Sequence, residues 1–218
     1  MAQIKMVNGQ VITVGVTDHA LIAAMLAVPR MPFVPAVSRS FAHSDADLAL
    51  EEASLPLSSR YLMPPGPFAR LVQAARIRRE DNVLDVGCAT GYSSAVLAHL
   101  AGVVVALESD DRLVALAQNT LADLGIDNVT VVSGSLEAGW PAAGPYDVIF
   151  IGGSVERIPH AFVPQLKDGG RLVTTVGRGH SGSAFLYVKS GSSFSGRTIF
   201  NVAARPLPGF AKPKSFVF

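Results

Sequence analysis

The sequence is poor in cysteine and has no excess of charge of one sign. Cys88 is the one cysteine among 218 residues, so neither an internal disulfide nor a multi-cysteine zinc cluster can form, and a reducing compartment is indicated. Lysine and arginine total 18 against 17 acidic residues, a net charge of +1, and no block of like charge occurs. This balance argues against a nucleic-acid or membrane-surface partner.

The sequence also lacks a long hydrophobic run. Its longest apolar stretch, AVLAHLAGVVVAL, is too short to span a membrane and is interrupted by His99. The first residues have no apolar centre of the kind found in signal peptides. Because 49% of the residues are hydrophobic, the chain can still bury a sizeable core, and we expect a cytoplasmic domain of enzyme size.

Histidine is scarce, and its spacing matches neither a metal site nor a catalytic triad. We therefore predict no metal site and interpret the histidines as structural or surface residues. They are His19, His43, His99, His160 and His180.

Two helices are predicted before the first buried strand. The stretch TDHALIAAMLAVPR has helical periodicity, with Thr17 as a possible N-cap and Pro29 as the stop. PFARLVQAARI, beginning at Pro67, has an apolar stripe on one face. The segment between them, residues 32–66, is rich in proline and serine and is predicted to be irregular.

From Asn82 onward, strands and helices alternate, which predicts a parallel sheet covered on both faces. Helices are expected after Gly91, over residues 110–124 and over residues 159–166. The last third differs, because AFLYVK and RTIFNVA are joined by too few residues for a helix and predict an antiparallel hairpin. The predicted parallel strands are NVLDV, VVVALE, NVTVV, YDVIFI and GRLVTTV.

The segment VLDVGCATGYSSA combines a strand, a glycine turn and the start of a helix. Gly87 and Gly91 allow the backbone to turn sharply and approach a nucleotide-like ligand closely. A hydride-transferring dinucleotide would need further glycines where Ala89 and Tyr92 stand. The acidic residue on the strand and the two glycines instead look like the S-adenosylmethionine turn of Rossmann-like methyltransferases.

Two other features of the sequence have simpler interpretations. GRGHSG, residues 177–182, matches the dinucleotide pattern but is followed by a strand, so we predict a loop between strands. Cys88 lies within the turn without a cysteine–histidine signature, and we interpret it as a packing residue rather than a nucleophile.

Several segments, in order, resemble protein-L-isoaspartate O-methyltransferases. They are MVNGQVITVGVTDHALIAAMLAVPRMPFVP, DVGCATGY, PYDVIFIGG and IPHAFVPQLKDGGRLVTTVG, which together run from about Met6 to Val176. The resemblance implies an α/β Rossmann-like fold with a mostly parallel sheet, an antiparallel C-terminal hairpin and an N-terminal helical cap. It also implies methyl transfer from S-adenosylmethionine to the side-chain carboxylate of L-isoaspartyl residues in damaged proteins.

The resemblance assigns a set of residues to the cofactor. Glu108 ends the second strand 21 residues after Gly87, where its carboxylate would accept both ribose hydroxyls. Ser135 stands at the position of an aspartate that accepts from the adenine amino group in the family. The expected cofactor residues are Asp85, Gly87, Cys88, Ala89, Gly91, Glu108, Ser109, Ser135 and Leu136.

The acceptor loop departs from the family pattern. The family reads G-Q-T-I-S-Q-P-Y before the fingerprint, and its serine aligns with Ser58 in LSSRYLM. We expect Ser58 and Ser59 to face the acceptor, although Ser54, Leu55 and Pro56 replace G-Q-T. Arg60 could pair with a substrate carboxylate or with a local acid.

Two residues after the third strand also have open roles. Glu137 could replace the missing aspartate or be an exposed loop charge. Trp140 could stack on adenine, although we favour a packing role.

We expect one methyltransferase domain in three parts. These are a cap and substrate loop over residues 1–66, a Rossmann-like core over 67–190, and a final strand and tail over 191–218. We expect a monomer or weak dimer with isoaspartyl proteins or peptides as partners. The alternatives are a related methyltransferase with another acceptor, and a module that binds S-adenosylmethionine without turnover. A nucleic-acid methyltransferase is disfavoured, because its N/D-P-P-Y/F loop and Pro-Cys nucleophile are missing.

Overall fold

The computed structural model describes residues 1–50, 60–178 and 181–211. The α-helices are α1 Ala2–Met6, α2 His19–Ala27, α3 Pro65–Ala75, α4 Tyr92–Ala98 and α5 Asp111–Asp123. The strands are β1 Leu48–Ala49, β2 Tyr61–Leu62, β3 Asn82–Val86, β4 Val103–Glu108, β5 Val129–Ser133, β6 Tyr146–Val155, β7 Leu166–Arg178, β8 Ser181–Ser190 and β9 Ser193–Asn201.

The central sheet has seven strands in the order β5-β4-β3-β6-β7-β8-β9. The first five strands in this order, β5, β4, β3, β6 and β7, are parallel to one another. The pairs β7-β8 and β8-β9 are antiparallel. The predicted mostly parallel sheet and the C-terminal hairpin are therefore confirmed. From β3 the strand order runs to β4 and β5 on one side, and then to β6 and β7 on the other side. The order therefore reverses between β3 and β6, and ligands of open α/β sheets bind at the carboxyl ends of the strands beside such a switch point.

The two faces of the sheet are covered differently. Helices α3 and α4 and the N-terminal cap pack on one face, where Phe68, Tyr92 and Phe150 form edge and tilted ring contacts. On the other face, short 3-10 turns and the chain after β9 pack against a second buried cluster that includes Phe162 and Phe210. Leu207 and Phe210, close to the end of the described residues, therefore belong to the core.

A buried arginine attaches the cap to the core. Arg30 is fully buried, donates to the carbonyls of Ala42 and Met63, and lies 4.6 Å from the ring centroid of Tyr92. Burial lowers the pKa of the Arg30 guanidinium.

Two local predictions were wrong. The N-cap of α2 is Asp18, whose carboxylate accepts from the amides of Ala20 and Leu21, and not Thr17. The helix expected over residues 159–166 is only a 3-10 turn, His160–Phe162, because Pro164 has no backbone N–H to continue the helical hydrogen bonds. The GRGHSG stretch is mostly strand, since Gly177 pairs with Gly182 and Arg178 pairs with Ser181 at the ends of β7 and β8. The predicted loop is thereby limited to residues 179–180, which lie outside the described residues.

Candidate cofactor cleft

The glycine turn follows β3 at the point where the chain reverses direction. Gly87 and Gly91 have φ of 79° and 95°, a backbone region that glycine adopts without strain. Ala89 has φ 52°, which is uncommon for a residue with a Cβ. The amide of Gly87 donates to the carbonyl of Leu107 at 2.8 Å, which fixes the turn against the end of β4.

Glu108 ends β4 beside this turn and is completely buried. Its Oε2 accepts from the amide of Ala89 at 2.9 Å, and its Oε1 accepts from the amide of Ser109 at 2.7 Å. The structure thus brings Glu108, Ala89 and Ser109 together at the glycine turn, and their assignment to the cofactor stays a prediction. The carboxylate is therefore held by amides of the protein and not by solvent.

Arg60 occupies the position next to Glu108. Its Nη1 donates to Glu108 Oε1 at 3.0 Å, and its Nη2 donates to Oε2 at 2.7 Å and to the carbonyl of Gly87 at 3.0 Å. The side chain of Arg60 is only 2% exposed. Of the two roles considered for Arg60, the structure shows pairing with an acid of the protein, and this acid is the one assigned to the cofactor ribose.

Asp85 holds the helix after the turn. The hydroxyls of Ser93 and Ser94, in α4, both donate to its Oδ2 at 2.6 Å. Burial raises the pKa of the Asp85 carboxyl to about 6, against the opposing effect of these two hydrogen bonds. Its contacts within the described residues therefore point to a role in shaping the turn.

Cys88 is buried in the turn and keeps its proton. Burial raises the pKa of its thiol well above the usual value, and the carboxylates of Asp85 and Glu108 act in the same direction. A thiol that resists ionisation is a poor nucleophile, which agrees with the packing role predicted for Cys88.

The residues after β5 take different positions. Ser135 and Glu137 are exposed, whereas Leu136 is buried in the cluster that also contains Leu207. Trp140 is half-buried and lies against Gly134, where it packs on the sheet face. Ser58 and Ser59, predicted to face the acceptor, lie outside the described residues.

Leu207 also lines this cleft, although nothing in the sequence pattern pointed to it. A Cβ placed on Gly87 would lie 3.0 Å from Leu207 Cδ2 and 3.1 Å from Arg60 Nη2. A Cβ on Gly153, in β6, would lie 2.6 Å from Leu207 Cγ. Leu207 follows the last strand, and no local pattern could have predicted its contact with a turn so far back in the chain.

Whether the cleft fits S-adenosylmethionine depends on its polar groups and on its volume. The donor and acceptor groups are of the right type, since Glu108 and the turn amides can bind a nucleoside. Among the described residues, the space in this conformation is too small, because the cavity beside Gly87, Ala89 and Tyr61 has a volume of about 20 Å³, whereas ligand sites usually measure roughly 300 to 1,000 Å³. The neighbouring cavity, which Arg60 and Leu207 line, has a volume of about 10 Å³.

Comparisons with known proteins agree on one family. A family model described as Protein-L-isoaspartate(D-aspartate) O-methyltransferase (PCMT) matches residues 3–209. A protein-L-isoaspartate O-methyltransferase of Opitutus terrae is 39% identical over 81% of this chain and 73% of its own length. One of Rhodopseudomonas palustris is 39% identical over 79% of this chain and 76% of its own length.

Solved structures give the same picture of the fold. A protein-L-isoaspartate O-methyltransferase superposes with a TM-score of 0.84 at 26% identity, and the match covers 95% of this chain and 66% of that one. A putative protein-L-isoaspartate O-methyltransferase of Plasmodium falciparum, in complex with S-adenosyl-L-homocysteine, superposes with a TM-score of 0.76. Its 17% identity supports the shared fold alone.

Proposed function

Because the chain belongs to the protein-L-isoaspartate(D-aspartate) O-methyltransferase family, we propose that it transfers a methyl group from S-adenosylmethionine to the side-chain carboxylate of L-isoaspartyl residues in proteins. The observation that carries this proposal is the family match over residues 3–209. The glycine turn, with Glu108 beside it at the reversal between β3 and β6, supports it.

The chemistry requires little of the protein beyond alignment. S-adenosylmethionine supplies an electrophilic sulfonium methyl, and the isoaspartyl carboxylate is already ionised near neutral pH, so no general base is needed. Positioning two reactants can lower a barrier by up to about 7 to 11 kcal/mol. We assign the holding of the cofactor to Gly87, Ala89 and Glu108, and the orienting of the acceptor carboxylate to Ser58 and Ser59.

This assignment requires a second arrangement of the cleft. In the described arrangement the guanidinium of Arg60 uses both oxygens of Glu108, and Leu207 covers Gly87. Cofactor binding therefore requires both side chains to move. The amides of Ala89 and Ser109 also donate to Glu108, and we expect these bonds to keep the carboxylate oriented when Arg60 leaves.

The test is methyl transfer to a matched pair of peptides. One peptide contains L-isoaspartate and the other L-aspartate at the same position, and the label is on the methyl group of S-adenosylmethionine. We expect label in the isoaspartyl peptide only, and its release as methanol in mild alkali because a carboxyl methyl ester is formed. Equal labelling of both peptides, or label stable to alkali, would contradict the proposal.

A second candidate function is methylation of another acceptor, and the loss of G-Q-T before Ser58 favours it. Labelling of a different acceptor class, with the isoaspartyl peptide silent, would support it. Binding of S-adenosylhomocysteine without transfer to any peptide or lysate component would instead support a non-catalytic module.

We further propose that the protein acts in the cytoplasm, as a monomer or weak dimer, without a nucleic-acid partner. The support is the net charge of +1 and the single cysteine. Across the part of the chain that the structure describes, no helix has the length and apolar character needed to cross a membrane.

A further inference from the structure

The chain after β9 returns to the middle of the sheet. We call residues 204–210 the C-terminal strap. The amide of Ser154 donates to the carbonyl of Arg205 at 2.8 Å, and the amide of Leu207 donates to the carbonyl of Ser154 at 2.9 Å. The strap thereby forms a parallel bridge with β6 at Pro206, beyond the point where β3 ends.

Apolar contacts hold the strap in place. Leu207 is 7% exposed and Phe210 is 1% exposed, and the ring of Phe210 stacks on Phe162 with centroids 6.3 Å apart. Leu207 lies directly against Gly87 and Gly153. These are the positions where a missing Cβ would otherwise allow a ligand to approach the backbone closely.

Arg60, which belongs to a separate segment, also contacts the turn at Gly87. The guanidinium of Arg60 binds Glu108 and the carbonyl of Gly87 in a buried ion pair. Removing such a pair from water is costly, and it is stable only when its geometry is good and its hydrogen bonds are satisfied, as they are here. The Arg60 side chain therefore supplies to Glu108 the donors that a ribose would supply.

Arg205 connects the strap to the segment that contains Arg60. Its Nε lies 3.1 Å from Asp47 Oδ2, and its guanidinium lies 4.5 Å from the ring centroid of Tyr61, the residue after Arg60. Beside it, the amide of Leu50, the residue after β1, donates to the carbonyl of Arg60 at 2.9 Å. Movement of the strap would therefore weaken the support of the Arg60 segment.

We propose that Arg60 and the C-terminal strap form an autoinhibitory plug that competes with S-adenosylmethionine for the turn at Gly87 and Glu108. This inference rests on the proposed function for the identity of the ligand. When the plug opens, Glu108 exchanges the guanidinium of Arg60 for ribose hydroxyls, and Leu207 leaves the glycines. The apparent affinity for the cofactor equals the intrinsic affinity multiplied by the fraction of molecules that are open.

The first test measures the binding of S-adenosylhomocysteine by calorimetry to the unchanged protein and to Leu207→Ala. Removing buried methyl groups destabilises the closed arrangement, so we expect the dissociation constant to fall about tenfold or more. Leu186→Ala is the matched control, because Leu186 is 9% exposed and lies in β8 within the other core cluster. We expect no change in affinity for it.

The second test removes the charge and keeps the bulk of the side chain. Arg60→Met should also tighten the binding of S-adenosylhomocysteine, and adding Glu108→Ala should abolish the gain. Arg205→Ala, on the half-exposed end of the plug, should give a smaller gain in the same direction. Its control is Lys167→Ala, which breaks a comparably exposed ion pair with Asp147.

Equal affinities of the unchanged protein and Leu207→Ala would overturn the plug, and so would the failure of every folded variant to bind S-adenosylhomocysteine. If Arg60→Met does not fold, Leu207→Ala still decides between these outcomes. A variant that gains affinity yet leaves the isoaspartyl peptide unmethylated would uphold the plug and remove the proposed acceptor.

Discussion

At the scale of single residues, the burial of Glu108 and Arg60 makes each dependent on the other. The two side chains are 0% and 2% exposed, so removal of one leaves a buried charge with fewer partners. We expect Glu108→Ala to lower the free energy of unfolding by about 3 to 5 kcal/mol. Urea unfolding of the isolated variant measures this loss.

Two further variants test whether the loss in Glu108→Ala comes from the buried ion pair. The double variant Arg60→Met with Glu108→Leu should recover most of the loss, because a buried pair can be replaced by apolar groups of similar size. Lys167→Ala, at an ion pair that is 44% exposed on the lysine side, should cost less than about 1 kcal/mol. Independent, additive effects of Arg60 and Glu108 would show that the pair is not coupled.

Asp85 gives a prediction for the dependence of stability on pH. The folded state raises the pKa of Asp85 from 3.8 to about 6. The folded protein therefore binds this proton more tightly than the unfolded chain, and the contribution of Asp85 to stability falls as pH rises from about 4 to about 6. Above that window its contribution is constant, at a cost of about 3 kcal/mol relative to acid pH.

Asp85→Asn tests this sign directly. The unfolding free energy of the variant minus that of the unchanged protein should increase between about pH 4 and about pH 6, then stay level. The subtraction cancels the other carboxylates, such as Asp147, whose pKa is lowered. A difference that does not vary with pH would show that Asp85 titrates normally.

At the scale of elements, local sequence was a good guide to strands and a poorer guide to ends and caps. The five parallel strands were predicted because each is a short β-branched run between turn residues. Strand β6 continues past the predicted YDVIFI to Val155, because after a register shift Ser154 and Val155 pair with β7 and the C-terminal strap bonds to Ser154. No local pattern contains the register shift or the strap, so the extension could not be predicted.

The cap of α2 provides a test that separates the sequence prediction from the structure. Asp18 accepts from two amides of the first turn, so Asp18→Ala should lower the free energy of unfolding by about 1 kcal/mol. Thr17→Ala should cost much less. Chemical denaturation of the two variants decides which residue is the cap, provided that the unfolding free energy depends equally on denaturant concentration in both. A larger loss of stability for Thr17→Ala would contradict the structure.

At the scale of the whole molecule, the sequence predicted the sheet, the turn and the acid beside it, but not what covers them. Gly87, Ala89, Glu108 and Ser109 are close in the chain or lie at the ends of adjacent strands, which a βαβ pattern places together. Arg60 and Leu207 reach the turn from distant segments through side-chain packing. Contacts of that kind depend on the complete fold and leave no periodic signal in the sequence.

We propose above that Arg60 and the C-terminal strap close the cleft and that the cleft opens when the cofactor binds. Amide hydrogen exchange at Ser154 and Leu207 tests it most directly, because their amides make the two hydrogen bonds that join the strap to β6. With saturating S-adenosylhomocysteine, we predict faster exchange at both amides, whereas the amide of Val105 in β4 should exchange no faster than before because ligand binding stabilises the folded state. Saturation by the ligand with both amides as protected as before would contradict the account.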